Sequence, residues 1–198
     1  MRKIFAGLFI SLDGVTESPE NWTPKWFDAE SGADINANMA ESDTMLLGRR
    51  TYQAWASYWP GKTSADDPFA EYINTVPKVV VSNTLTSLDW KFSTLMRGDL
   101  VAELSRLKAQ PGKNIAISGS VTLVRSLLKL GLLDELRLQV YPVVAGSGAR
   151  LFEDGMDQIA MKLISSKAFS SGVLSVVYEP ERAAVTEREP VEMGATRL

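Results

Sequence analysis

The order of its secondary-structure signals constrains this chain most: strand and helix patterns alternate through two-thirds of it, and strand patterns alone complete it. Residues 4–12 are apolar and β-favouring and stop at Asp13-Gly14, a turn signal, so a buried first strand is expected. Residues 15–26 contain Pro19 and Pro24 and read as loop, and a helical pattern follows over 26–40. Residues 44–48 form a short strand that runs directly into a helix over 49–58, stopped by Trp59-Pro60-Gly61. A short helix over 68–74 and a β-branched strand over 78–82 come next. Asp99 can cap a helix that places Leu100, Leu104 and Leu107 on one face and ends before Pro111-Gly112. Residues 114–117 read as a buried strand, and Ser118-Gly119-Ser120 turns into a helix carrying Leu123, Val124, Leu127, Leu128 and Leu130, with Gly131 at its C-cap. A long strand over 133–144 and a hairpin of 160–168 with 173–178, turned by Ser170-Ser171-Gly172, finish the pattern.

That order predicts an α/β fold of three layers, with a twisted, mostly parallel central sheet and an antiparallel C-terminal edge. The 198 residues suit one domain, expected over 1–179, and the charged, aperiodic stretch 180–198 reads as a tail. Two zeros narrow the chemistry. Without cysteine there is no thiolate nucleophile or thiolate metal site, and without histidine there is no Ser-His-Asp triad and no imidazole ligand. No metal is therefore expected. Hydride transfer stays open, because the cofactor carries that chemistry and the protein supplies orientation. A net charge of −3 offers no general attraction to nucleic acid or anionic membrane. The apolar run after Arg2-Lys3 is too short for a signal peptide, and nothing approaches the ~18 apolar residues of a membrane span, so a cytoplasmic protein is expected.

Two strand–turn–helix units hold the ingredients of a phosphate site. In the first, Gly48 permits a sharp turn, and the amides of Arg49, Arg50 and Thr51 fall at a helix N-terminus, where unpaired N–H groups and the helix dipole favour anions. Two guanidinium groups and a hydroxyl add donors. A solvated arginine pair at an ordinary helix start fits the same residues. In the second unit, Gly119-Ser120 precedes an apolar-faced helix and allows close approach of a pyrophosphate; a tight turn needing only a glycine fits equally.

These residues carry a resemblance. Gly48-Arg49-Arg50-Thr51-Tyr52 resembles the Gly-Arg-x-Thr-[Tyr/Trp] element of the dihydrofolate reductase superfamily. Ser11-Leu12-Asp13-Gly14 is similar to the opening of the reductase domain in bifunctional riboflavin-biosynthesis deaminase-reductases. The block from Ser118 through Leu128, continuing through Gly131-Leu132-Leu133-Asp134-Glu135 and Pro142-Val143-Val144-Ala145-Gly146-Ser147-Gly148 to Leu151-Phe152, extends the likeness over about residues 3–179. It implies a dihydrofolate reductase-like fold that binds NADPH and reduces a small heterocycle. The riboflavin-pathway example is a ribosylated aminopyrimidine phosphate, 5-amino-6-(5-phosphoribosylamino)uracil. A pteridine- or dihydrofolate-type substrate, and a non-catalytic NADPH-binding sensor, stand as alternatives. Lacking histidine and cysteine, the chain has no zinc-deaminase unit.

Position by position, the resemblance assigns Gly48, Arg49, Arg50 and Thr51 to the cofactor phosphates, and Ser82 and Asn83 to the adenosine ribose and its phosphate. Arg97 is assigned to the same charge, and Gly119, Ser120, Val121 and Thr122 to the pyrophosphate loop. Dihydrofolate reductases join two glycines there by a cis peptide, whereas this chain has Gly119-Ser120, where a cis bond would cost ~3 kcal/mol. On the substrate side, Asp13 either orients a substrate amide or relays a proton, or it serves only its Asp-Gly turn. Trp22, Trp26 and Phe27 either line a flat aromatic pocket or anchor a long loop. Asp28 lies near the region of the dihydrofolate reductase acid, but its surroundings are spaced differently and no role is assigned to it. A homodimer is expected, paired through the 133–144 strand and the final hairpin, whose apolar residues a bare edge would expose.

Overall fold

The computed structural model describes residues 1–181. The chain runs β1 (Ile4–Ser11), α1 (Ala29–Ala40), β2 (Ser42–Gly48), α2 (Arg49–Tyr58), α3 (Ala70–Thr75), β3 (Lys78–Val81), β4 (Ser93–Met96), α4 (Leu100–Ala109), β5 (Asn114–Ser118), α5 (Val121–Lys129), β6 (Glu135–Tyr141), β7 (Met161–Ala168) and β8 (Leu174–Pro180). A single 3-10 turn, Pro19–Asn21, interrupts the loop before α1. All eight strands join one sheet in the order β4-β3-β2-β5-β1-β6-β8-β7. Every pairing is parallel except β6–β8 and β8–β7, which form the antiparallel end.

Strand alternation produces the three layers. Leu46 points into one core with Ile4, Ala6, Ile115 and the leucines of α4 and α5. Its neighbours Met45 and Leu47 point into a second core with Tyr52, Ile73 and Trp90. The expected α/β sheet, covered on both faces with an antiparallel edge, is the fold observed.

Several elements differ from the sequence reading, four of them in ways that bear on the fold. Helix α1 begins at Ala29 rather than Trp26, because the Asp28 carboxylate accepts the Ser31 N–H at 2.8 Å and caps the helix there. β4 was not anticipated: Ser-Thr-Leu-Met is short, has no clear period and enters the sheet only by pairing with β3. The long strand expected over 133–144 is confined to Glu135–Tyr141 and lies inside the sheet between β1 and β8, so it is no edge; β7 is. β8 runs on to Pro180, past the strand end expected at 178, and the Glu181 N–H donates to the Ala160 carbonyl. The remainder of the expected tail, 182–198, lies outside the described residues. Among the described residues, no helix is long and apolar enough to cross a membrane.

Candidate active site

Parallel pairing of β2 with β5 brings the two strand–turn–helix units side by side at the carboxyl end of the sheet. The two turns are latched together. The Gly48 N–H donates to Ser120 Oγ at 3.0 Å, and the Ser120 N–H donates to Thr51 Oγ1 at 2.9 Å. Gly119 (φ +59) and Ser120 (φ +51) are both left-handed, so the chain doubles back sharply before α5. A Cβ on Gly119 would stand 3.2 Å from Thr51 Cγ2, a close approach that glycine permits. A left-handed serine is strained, and its hydroxyl contact with Gly48 offsets that cost, which gives serine a reason to stand where a second glycine is usual. No peptide bond among the described residues is cis.

Neither α2 nor α5 has a side-chain cap at its N-terminus. The first-turn amides, including those of Arg49 and Arg50 in one helix and Val121 and Thr122 in the other, therefore open toward the same ridge as two positive helix ends. The sheet register extends this ridge. Gly48 is opposite Val81, and Val81 is opposite Met96, so Ser82-Asn83 and Arg97 fall in the next places along it. Ser82 Oγ accepts from the Thr84 and Leu85 amides at 3.2 and 3.1 Å, and Asn83 Oδ1 accepts from Gly98 N–H at 3.3 Å. The Arg97 guanidinium donates to the Leu85 carbonyl, and Arg49 Nη1 reaches Gln53 Oε1 at 3.1 Å. Arg49, Arg50 and Arg97 are exposed. All the residues assigned to the cofactor by resemblance thus share one rim, beside the two uncapped helix N-termini.

Next to it the sheet opens. The β1–β5 pairing ends at Gly7–Ser118, whereas β1 continues against β6 to Ser11–Tyr141. Residues 8–11 therefore have no strand neighbour on the β5 side, at the point where connections leave the sheet centre in opposite directions, which is where open α/β sheets offer a crevice to ligands.

Beyond the crevice, the loops after β1 and β6 are clamped by Asp13. One oxygen of its carboxylate accepts from the Ser11 hydroxyl at 2.6 Å and the Ala145 N–H at 2.9 Å, and the other accepts from Gly146 N–H at 2.9 Å. Arg150 Nε donates to the Asp13 carbonyl at 2.9 Å. The Ser11 hydroxyl foremost, then the Ala145 amide, hold the Asp13 carboxyl down to about 2. An anion so occupied joins two loops and has no proton to offer at neutral pH.

The same two loops enclose an open cavity of about 410 Å³ whose walls include Glu17, Asn21, Trp22, Val143, Ala145 and Ser147. A second hollow of about 410 Å³ shares Asn21, Trp22 and Val143 with it and adds Pro24, Lys25 and Trp26. Trp22 stands edge-on to Tyr141 at 5.7 Å and donates from Nε1 to the Glu17 carbonyl at 3.0 Å. Tyr141, buried beneath, donates its hydroxyl to Gln139 Oε1 at 3.2 Å, and burial pushes its phenol up to about 12. Of the three aromatic residues expected together, Trp22 and Trp26 line this region. Phe27 instead packs edge-on against Phe9 at 6.2 Å and is absent from the lining. Glu17, Asn21 and residues 143–148 were not singled out as site residues from the sequence, because only the packing of two distant loops makes them neighbours.

Residues 2–175 match the model of the RibD C-terminal domain family. The chain belongs to that family. The uncharacterized protein YyaP of Bacillus subtilis (strain 168) is 32% identical over 182 residues, covering 89% of this chain and 94% of that relative. Among solved structures, a Shewanella sp. PV-4 protein assigned to riboflavin biosynthesis superposes with a TM-score of 0.73 at 23% identity, covering 91% of this chain and 99% of that one. A diaminohydroxyphosphoribosylaminopyrimidine deaminase/5-amino-6-(5-phosphoribosylamino)uracil reductase of Thermotoga maritima gives 0.64 at 12% identity, with 90% of this chain matching 56% of that one. The RibD C-terminal domain is a reductase family, and these likenesses share its fold.

Proposed function

We propose that the chain is an NADPH-dependent reductase of a small conjugated heterocycle, related in chemistry to the ribosylaminopyrimidine reduction of its family. One observation carries this reading: two uncapped helix N-termini, latched through Gly48, Thr51 and Ser120, open onto a rim bearing Arg49, Arg50 and Arg97. Three features support a dinucleotide. Backbone amides suit a pyrophosphate, the glycine at 119 leaves room where a Cβ would crowd Thr51, and exposed guanidinium groups suit an additional 2′-phosphate. Bound in that orientation, the cofactor supplies a hydride, and the chain's own work is to hold it by its phosphates and present the ring beside the 8–11 edge of β1. The loops clamped by Asp13 then close the far side around the substrate.

Titrating NADPH and NADH against the fluorescence of the five tryptophans tests the cofactor, with NADPH expected to bind at least about tenfold more tightly. Equal affinities refute the assignment of the arginines. Consumption of NADPH with a heterocyclic substrate separates an enzyme from a binding module. The reading also includes a cytoplasmic homodimer: the outer strand β7 exposes Leu163 and Ile164, and Leu174 is exposed on β8 beside it. A monomer by sedimentation at micromolar concentration counts against that assembly.

A further inference from the structure

The cavity between the loops after β1 and β6 has one charged group fixed in its wall. Glu17 Oε2 accepts the Ala149 N–H at 2.8 Å, which sets the direction of the side chain, while Oε1 has no hydrogen-bond partner among the described residues. Gly148 (φ +118) lets the opposite loop come this close: a Cβ there would lie 2.8 Å from Val15 Cγ1 and 3.5 Å from Glu17 Oε2. Asn21, Trp22 and the apolar Val143 and Val144 line the same cavity. The neighbouring guanidinium groups are not among the residues lining the cavity. Arg150 is held on Asp13, and Arg125 is held on the Leu151 carbonyl and Glu153. The adjoining hollow adds one cation, Lys25, whose Nζ lies 5.0 Å from the centre of the Trp26 ring.

A phosphate ester needs several charge-assisted donors, and this wall offers a carboxylate instead. The geometry points to a substrate that enters unphosphorylated and presents an N–H-rich edge, such as an aminopyrimidine, an amidine or a protonated ring nitrogen, to Glu17 while its ring lies along Trp22. This rests on the reading of the neighbouring crevice as a nicotinamide site and narrows its substrate class. Phosphate-bearing analogues meet the Glu17 charge and bind poorly.

The test uses the full chain and two probes, an aminopyrimidine ribonucleoside and its 5′-phosphate, each titrated by tryptophan fluorescence with and without NADPH. The nucleoside is expected to bind about tenfold or more tightly than its phosphate. Glu17→Gln keeps an oxygen for the Ala149 amide but removes the charge; it should weaken the nucleoside about tenfold and narrow the preference. Glu20→Gln, outside the cavity wall, should change neither. A phosphate that binds as tightly as the nucleoside, no binding of either probe, or an unchanged nucleoside affinity in Glu17→Gln overturns the inference. Should Glu17→Gln fail to fold, the wild-type comparison of the two probes decides by itself. Loss of the NADPH arm with nucleoside preference intact refutes the cofactor reading alone. Normal NADPH binding with phosphate preferred refutes the substrate class alone.

Discussion

Gly119→Ala is the perturbation that reports most directly on the latched turns. The residue has φ +59, and an L side chain held in that region costs roughly 1–2 kcal/mol. The added methyl meets Thr51 Cγ2 at 3.2 Å and Thr51 Oγ1 at 3.5 Å. Thr51 must then move, and the bond it accepts from the Ser120 amide, worth about 0.5–1.5 kcal/mol net, is lost or stretched. The variant should lose roughly 2–3 kcal/mol of stability, about 5–10 °C in melting temperature for a chain of this size. The same displacement misaligns the first amides of α5, so NADPH affinity should fall at least about tenfold. Gly131→Ala is the matched control: its φ is +65, but nothing lies within 4 Å of the added carbon. It should lose only the backbone share of stability, roughly 1–2 kcal/mol, and keep its NADPH affinity. Thermal melts and fluorescence titration of both variants read these differences. If Gly119→Ala matches Gly131→Ala in stability and wild type in NADPH affinity, the turn is only a turn. A bulkier Gly119→Val is a poorer probe, because the contact with Thr51 makes it disturb the fold as well as the ligand.

Replacing Arg49 and Arg50 together with alanine should raise the Kd for NADPH by about tenfold or more while leaving NADH within a factor of about two, read by the same titration. Asp13→Asn should loosen the loops that enclose the cavity, raising KM for the heterocycle more than it lowers kcat. In the wild type the Asp13 carboxyl sits below its ordinary value, so the clamp is fully present above about pH 4 and is lost as pH falls toward about 2; melting curves across that range, with Asp13→Asn as reference, detect it. Lys78, 1% exposed at the start of β3, has its ammonium lowered to about 8 by burial, with Nζ 2.9 Å from the Val76 carbonyl and 4.2 Å from the centre of the Trp90 ring. The unfolded chain then binds more protons than the folded one between about pH 8 and 10.5, so stability attributable to Lys78 rises over that interval by at most about 3 kcal/mol. Lys78→Met should abolish that rise, and melting curves with no such difference between the two proteins refute it.

Much of the fold was legible because local chemistry determined it. Asp13-Gly14 marks the end of β1, Asp99 caps α4, and the leucines of α5 leave one face to bury. What escaped depended on distant partners. β4 is a strand only because β3 lies beside it, and the start of α1 depended on one carboxylate outcompeting a helical pattern that extended back to Trp26. The interior position of β6 escaped for a similar reason. Arg137 and Gln139 look like a solvent face in sequence, yet Gln139 is buried, donating to the Ser31 carbonyl and Asp34 from across 105 or more residues. At the candidate site, the glycines and arginines of the two strand–turn–helix units could be read from their motifs. The Gly48–Ser120 contact, 72 residues apart, and the cavity walls made by Glu17 and residues 143–148 could not.

The placement of β1 at the centre of the sheet also governs when the molecule can be made. Its two neighbours are β5 and β6, so Ile4 waits for Ile115 and Phe5 waits for Glu135. A nascent chain that has not yet reached β5 can assemble the β2–β3–β4 ladder with α2 and α3, but it carries the apolar IFAGLFIS segment with both edges bare. Contacts so remote in sequence make folding slow relative to a chain of local pairings, and an unpaired apolar strand is the part that associates with other chains meanwhile. Strand β1, although synthesised before its partners β5 and β6, is among the last to be secured, so slowed elongation before residue 114 should cost this protein more yield than the same delay after residue 141.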